Sequence, residues 1–514
     1  MTANKILSQN PTENSREICI AKSLDNDKRK EIALKSLSGK ETITDLAKEE
    51  QVSRKFIYQQ KGKAISAIDN AFSEEKENEK VLFTIAVTKN WIKRLVIALI
   101  LLCRGSYRGV MEFCLDILGN EISLGSIHNI VNEATKKAVE INNSEDLSNI
   151  RVAGNDELFQ SGMPVLGGID LESDYCYLLV NEEHRDTDTW AVHLLYAVDK
   201  GFNPEYIVAD FGKGLRAGQK LALPNVPCFG DVFHVLQHFL KVLSTLEKAA
   251  YGSISDCYKL EKAEKYSLFD KLKKARKIEE SNIRLYEDLK LLTDWLHNDI
   301  LCLNGYDFET RSKLYDFILE ELKILENINK NRIHPLYQLL KNQKENLLMF
   351  SKKLDGYLNE IANKYNISLL NIQEMLKLER LEQNNPDYCK LESKLRDTLK
   401  LQFHEIQEEI TNAISKIYRA SSPIENLNGR LRSYFSLRHQ IGAKYLDLLR
   451  FFLNHHKFLR SFHPERVGKS PAELMTGEKH PHWLDMLGFK PENEAIAKTI
   501  ITGNNKLYSM EASS

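Results

Sequence analysis

IRVAGNDELF, residues 150–159, places one carboxylate, Asp156, inside a short run of β-forming residues, and the succession of elements after it decides the fold. PVLGGIDLES (164–173) and YCYLLVNEEH (175–184) read as two further strands, near-continuous or alternating in apolar residues. DTDTWAVHLLYAVDKGF (186–202) has polar start signals from Asp186 to Thr189, apolar spacing of three and four, and a stop at Gly201, which predicts a helix. EYIVADFGKGL (205–215) gives a short buried strand ending at Asp210 and then a helix. VPCFGD (226–231) gives a fifth strand ending at Asp231, followed by the helix VFHVLQHFLKVL. This order predicts a mixed five-stranded sheet with flanking helices, carrying one Asp inside its first strand and another at the tip of its fourth.

A third acid lies far downstream. SSPIENLNGRLRSYF (421–435) opens a helix with Glu425 in its first turn, and the spacing puts Glu425, Asn428 and Arg432 on one face. Each acid also has a local explanation. Ser422, Pro423 and Glu425 form a good capping box; Asp210 fits a cap for the helix starting near Lys213; and Asp170, in the second strand, competes with Asp156, which is preferred for its place in the first. These local readings are independent of one another, whereas a catalytic triad requires all three acids together.

The arrangement resembles prokaryotic insertion-sequence transposases of the Asp-Asp-Glu class, whose acids sit on the first strand, just after the fourth, and on a late helix. Asp156, Asp210 and Glu425 match those places, and the resemblance covers roughly residues 150–240 and 416–475. Asp231-Val232-Phe233-His234 is similar to the signature, Asp or Cys and then His three positions on, found after the fifth strand in several transposase superfamilies with a helical insertion. Tyr418 and Glu425 are spaced like part of a Tyr-Arg-Glu-Lys signature, but Ser421 stands at the Arg position and Arg432 at the Lys position, so that group is not assigned. The resemblance implies an α/β ribonuclease-H-like core, N-terminal helical DNA-binding domains and a large all-α insertion. It further implies binding of double-stranded DNA (terminal inverted repeats and target), cleavage and strand transfer, a homodimer or larger synaptic complex, and a cytoplasmic, nucleoid-associated protein of a prokaryote.

The chemistry accounts for the residue types. Phosphodiester cleavage and joining are in-line displacements that two divalent ions about 4 Å apart can assist, and hard cations such as Mg²⁺, with Mn²⁺ as substitute, want carboxylates. Asp156 is expected to bridge the two ions, with Asp210 and Glu425 each completing one site. Water would attack in cleavage and the freed DNA 3′-hydroxyl in joining. His234 is either a packing histidine or an accessory that positions Asp231 or the scissile phosphate; Asp231, Asn428 and Arg432 are the other expected accessories.

Composition bounds the rest. A chain of 514 residues exceeds one hydrophobic core, and 42% hydrophobic with 28% charged residues is ordinary globular material. Eight cysteines without a C-x-x-C pair argue against a zinc site or a disulfide framework. LVIALILLC (95–103) is too short to span a bilayer, so no membrane partner is expected. The net charge of −1 hides a local excess: from Lys416 to Lys469 there are eleven Lys and Arg against the three acids Glu425, Asp447 and Glu465. Arg430, Arg432, Arg438, Lys444, Lys457 and Arg460 are therefore expected to face DNA phosphates, while Tyr434, Phe435, Phe451 and Phe452 fit core positions.

The expected division is a disordered tail (1–26), a helix-turn-helix domain (27–80), a second helical unit (81–149), the first part of the core (150–240), an all-helical insertion (241–415), the Glu helix with its basic segment (416–475) and a C-terminal tail (476–514). In TITDLAKEEQVSRKFIYQQKGKAISAI (42–68), Ser53 would cap a helix presenting Arg54, Lys55, Tyr58 and Gln59 to a major groove. Trp295, in the insertion, suits a core position or a DNA contact. Two other functions share these features: a nuclease of the same fold that cuts without joining, and a DNA-binding regulator with an inactive core.

Overall fold

The computed structural model describes residues 24–72, 85, 87–263, 268–419, 422–437 and 442–491. Most of the expected N-terminal tail, most of the C-terminal tail and Arg438 lie outside the described residues. The chain forms two compact units, residues 1–86 and 87–514.

The first unit contains α1 (Asn26–Ser38), α2 (Ile43–Glu49) and α3 (Arg54–Phe72) around Ile32, Leu46 and Ile57. Thr42 caps α2 by accepting from the Asp45 N–H, and Ser53 Oγ accepts from the Phe56 N–H at the start of α3. Arg54, Lys55, Tyr58 and Gln59 are all exposed on α3.

The second unit is built on a five-stranded mixed sheet of order β3-β2-β1-β4-β5. Its strands are β1 (Val152–Gln160), β2 (Met163–Asp170), β3 (Cys176–Asn181), β4 (Tyr206–Ala209) and β5 (Cys228–Gly230). β1, β2 and β3 run antiparallel in succession, whereas β4 is parallel to β1 and β5 parallel to β4. Helices α7 (Thr187–Val198) and α8 (Lys213–Ala222) cover one face, burying Trp190, Leu194 and Leu215 against Ala153, Tyr177 and Ile207. Successive strand residues point to opposite faces, so Val152, Val208 and Phe229 supply the second face.

Three helices precede the sheet: α4 (Lys89–Leu101), α5 (Tyr107–Leu118) and α6 (Leu124–Asn143). Read from sequence as a second helical unit, they share one continuous core with the second sheet face through Ile97, Ile127 and Val131.

In the segment between the fifth strand and the Glu helix the described residues form helices joined by short turns, with no strand among them. The segment comprises α9 (Val232–Lys262), α10 (Phe269–Trp295), α11 (Phe308–Glu326), α12 (Lys330–Tyr365), α13 (Leu369–Arg380), α14 (Pro386–Leu399) and α15 (Phe403–Ser415). It packs on the sheet rather than standing apart: Leu347 of α12 presses on Gly230 of β5, where an added Cβ would lie 3.1 Å from its Cδ2. Trp295 is 38% exposed beside Phe317, not a sealed core residue.

The chain returns through α16 (Ser422–Phe435) and α17 (Ala443–His455), then the short α18 (Pro471–Thr476) and α19 (Trp483–Met486). Asn454 of α17 pairs with both polar groups of the Cys176 peptide on edge strand β3, accepting from its N–H (2.8 Å) and donating to its carbonyl (2.9 Å). The protein is thus a mixed α/β structure, with 69% of its described residues helical. Among the described residues no helix is long and apolar enough to cross a membrane.

Candidate metal centre

Register alone brings acids together. Asn155 pairs with Ala209 and Ala209 with Gly230 across three parallel strands, so the next residues, Asp156, Asp210 and Asp231, fall in register where β4 and β5 end and β1 runs on. Asp156 is 7% exposed and points to the face that α16 covers. The Glu157 N–H donates to its Oδ1 (2.8 Å), and Asn428 Nδ2 donates to its Oδ2 (2.7 Å) from a position 272 residues away. Burial pushes the Asp156 carboxyl up to about 6, with the nearby Asp210 and Glu425 charges adding to the shift.

The long return is held by backbone as well as side chains. The Val232 N–H, at the start of α9, donates to the Arg419 carbonyl (3.0 Å), and the Tyr418 N–H donates to Tyr206 Oη (2.9 Å). The Arg419 guanidinium donates to the Leu301 carbonyl. These contacts set the first turn of α16 beside the first turn of α9, and with it Glu425 beside His234.

Asp231 caps α9 by accepting from the Phe233 N–H, and its second oxygen accepts from His234 Nδ1 (2.7 Å). That bond leaves Nε2 turned inward, 3.7 Å from Glu425 Oε1. The bond to Asp231 holds the His234 pKa up at about 9, supported by the charges of Asp231, Asp156 and Asp210 against the opposing effect of burial. Asp156, His234 and Glu425 each offer a donor atom within 4.8 Å of the other two.

This grouping differs from the expected one. Asp210 stands outside the trio: its Oδ1 accepts from the Gly212 N–H (2.9 Å), while its charge still reaches Asp156 and His234. Asp210 does not cap α8, whose N-cap is Gly212 without a side-chain bond. His234, expected as an accessory, occupies the third donor place, and Asp231 positions it rather than being positioned by it. Asn428 orients Asp156, as one helical face with Glu425 requires. Arg432 is exposed at the far end of that face.

Sequence reading missed Arg216, whose Nε donates to the Asp210 carbonyl (2.7 Å) and whose Nη2 donates to the Ala209 carbonyl (3.2 Å), tying down the end of β4. Asp170, the rival to Asp156, is spent locally: the Ser173 N–H (3.1 Å) and hydroxyl and the Glu172 N–H (3.4 Å) all donate to it. The expected phosphate contacts divide. Lys444 and Arg460 are exposed, Lys457 pairs with Glu473 (3.0 Å), and Arg430 is half-buried, with burial lowering its pKa.

No protein-family model matches the chain, and no curated protein matches it.

Proposed function

We propose that this protein is a DNA transposase of the Asp-Asp-Glu class. It would bind the terminal repeats of its element, cut at their 3′ ends and join those ends to target DNA as a dimer or larger synaptic complex. The observation that carries this reading is the convergence of Asp156 and Glu425, remote in sequence, on one buried point beside Asp210 and Asp231. The strand order β3-β2-β1-β4-β5, with three antiparallel and then two parallel strands, agrees with a ribonuclease-H-like core.

The donor chemistry fits a hard divalent cation such as Mg²⁺ or Mn²⁺. Two carboxylates face one another, and Asp231 fixes the His234 ring so that Nε2 can act as a third donor once its proton leaves. Asp156, His234 and Glu425 would hold one ion, and Asp156 with Asp210 a second. A cation so held supplies Lewis acidity at the scissile phosphate. The protein's own groups orient the rest: Asn428 and the Glu157 N–H fix both oxygens of Asp156, Asp231 fixes His234, and Arg216 fixes the strand end that carries Asp210.

The test is an end-cleavage assay on labelled duplexes copied from the DNA flanking the coding region, with Mg²⁺ or Mn²⁺. Cut and joined products are expected, and both should vanish in Asp156→Ala and Glu425→Ala while DNA binding persists. Cut products without joining would point to a nuclease, and retention without cutting to a regulator.

A further inference from the structure

We propose that Arg185 is a phosphate-binding residue of this centre, gripping the backbone of the bound strand on the Asp210 side; this rests on the strand-transfer reading above. Glu157 follows Asp156 in β1 and therefore points to the opposite face of the sheet. Its side chain is only 7% exposed, and both of its oxygens are used: Oε1 accepts from Trp190 Nε1 (2.9 Å) and Oε2 from Arg185 Nη1 (2.6 Å). The Arg185 guanidinium also lies 5.2 Å from the centre of the Phe159 ring. A buried carboxylate and an aromatic face thus fix a side chain that remains 58% exposed. Nη1 is held by Glu157 while the side chain as a whole stays largely open to solvent.

Backbone packing joins Arg185 to the centre. Its carbonyl lies so close to Gly214 that a Cβ there would be 2.2 Å away, and Gly212, two residues earlier in the chain, donates its N–H to Asp210 Oδ1 (2.9 Å). The segments bearing Arg185 and Asp210 therefore meet at the beginning of α8, and the Asp210 carboxylate is among the charges that the guanidinium feels. The side chain lines a shallow groove of about 410 Å³ with Phe159, Pro164 and His184. Of the two acids on that rim, Asp186 is committed to the Thr189 N–H (3.0 Å), and Glu183 is exposed. A planar guanidinium held in this way matches the paired oxygens of a phosphate.

The experiment compares the full chain with its Arg185→Ala and Arg185→Lys variants by duplex-DNA affinity across a salt series, with binding of Mn²⁺ alone and melting temperature measured beside it. Arg185→Ala should weaken DNA binding by about tenfold at fixed salt, the scale of one charge-assisted contact. It should also reduce the slope of log affinity against log salt by about one. Arg185→Lys should restore the slope while recovering only part of the affinity. Mn²⁺ affinity should be unmoved in both; melting temperature should hold in Arg185→Lys and fall modestly in Arg185→Ala, where the buried Glu157 carboxylate loses one of its two partners. An unchanged slope in Arg185→Ala, with wild type binding DNA and Mn²⁺, overturns the inference and leaves the strand-transfer reading intact. Joint loss of Mn²⁺ affinity and melting temperature overturns it in favour of a structural prop. A wild type that binds no DNA overturns both.

Discussion

Asp156 and Asp170 lie on neighbouring strands, both buried, and burial pushes both carboxyls up to about 6. Their surroundings differ in kind. Asp170 takes all its donors from Glu172 and Ser173 and so closes the β2–β3 turn that it belongs to. Asp156 takes one donor from the next residue and the other from Asn428 of α16, and it faces His234 of α9 and Glu425 of that same α16. A buried acid satisfied by its own turn serves the fold. One satisfied from remote elements and crowded by like charge carries a cost that chemistry explains better than stability does.

The largest expected effect separates the two by activity. Asp156→Asn or Glu425→Gln should lower DNA cleavage by about 10⁴-fold, whereas Asp170→Asn should stay within a few-fold of wild type in the same labelled-end assay. Equal losses in all three would erase the contrast.

Next comes pH. A folded-state carboxyl pKa raised from 3.8 to about 6 means that the neutral form is favoured in the fold. Its stabilising contribution is complete below about pH 4 and is lost as pH rises through 6, up to about 3 kcal/mol in all. Asp170→Asn stays neutral, so its unfolding free energy measured against wild type should improve between pH 4 and 7. A difference that stays flat with pH would place the Asp170 carboxyl in its ordinary range.

Smaller effects probe the partners. Asp231→Asn should weaken Mn²⁺ binding by about 10–100-fold through loss of the His234 anchor, followed by calorimetric titration; Asp170→Asn should not. Smallest is Arg54→Ala on the exposed face of α3. It should lower the salt slope of DNA binding by about one and leave Mn²⁺ affinity untouched.

Much of this contrast was legible in the chain. Period-two and period-three-to-four patterns located the strands and the helices α7 and α9, and a mid-strand Asp156 followed from them. Ser53 at the start of α3 could be read because capping is local, and Asp231 could be placed because it ends the fifth strand, although its capping of α9 was not foreseen. His234 could not be ranked, because its decisive neighbour, Glu425, is brought to it by backbone contacts at Arg419 and Tyr418 that no periodicity announces. For the same reason Arg216 passed unnoticed: its partners are main-chain carbonyls, which leave no sequence signal. The region of α4–α6 reads as a separate helical unit because apolar periodicity is local, whereas the core these helices share with the sheet is not.

The most direct measurement is anomalous scattering from crystals soaked in Mn²⁺. The expected result is a peak bounded by Asp156 and Glu425 with His234 Nε2 as a further donor, lost in Asp156→Asn crystals. No peak at that point, or one that persists without the Asp156 carboxylate, would contradict the assignment of a metal centre to these three side chains.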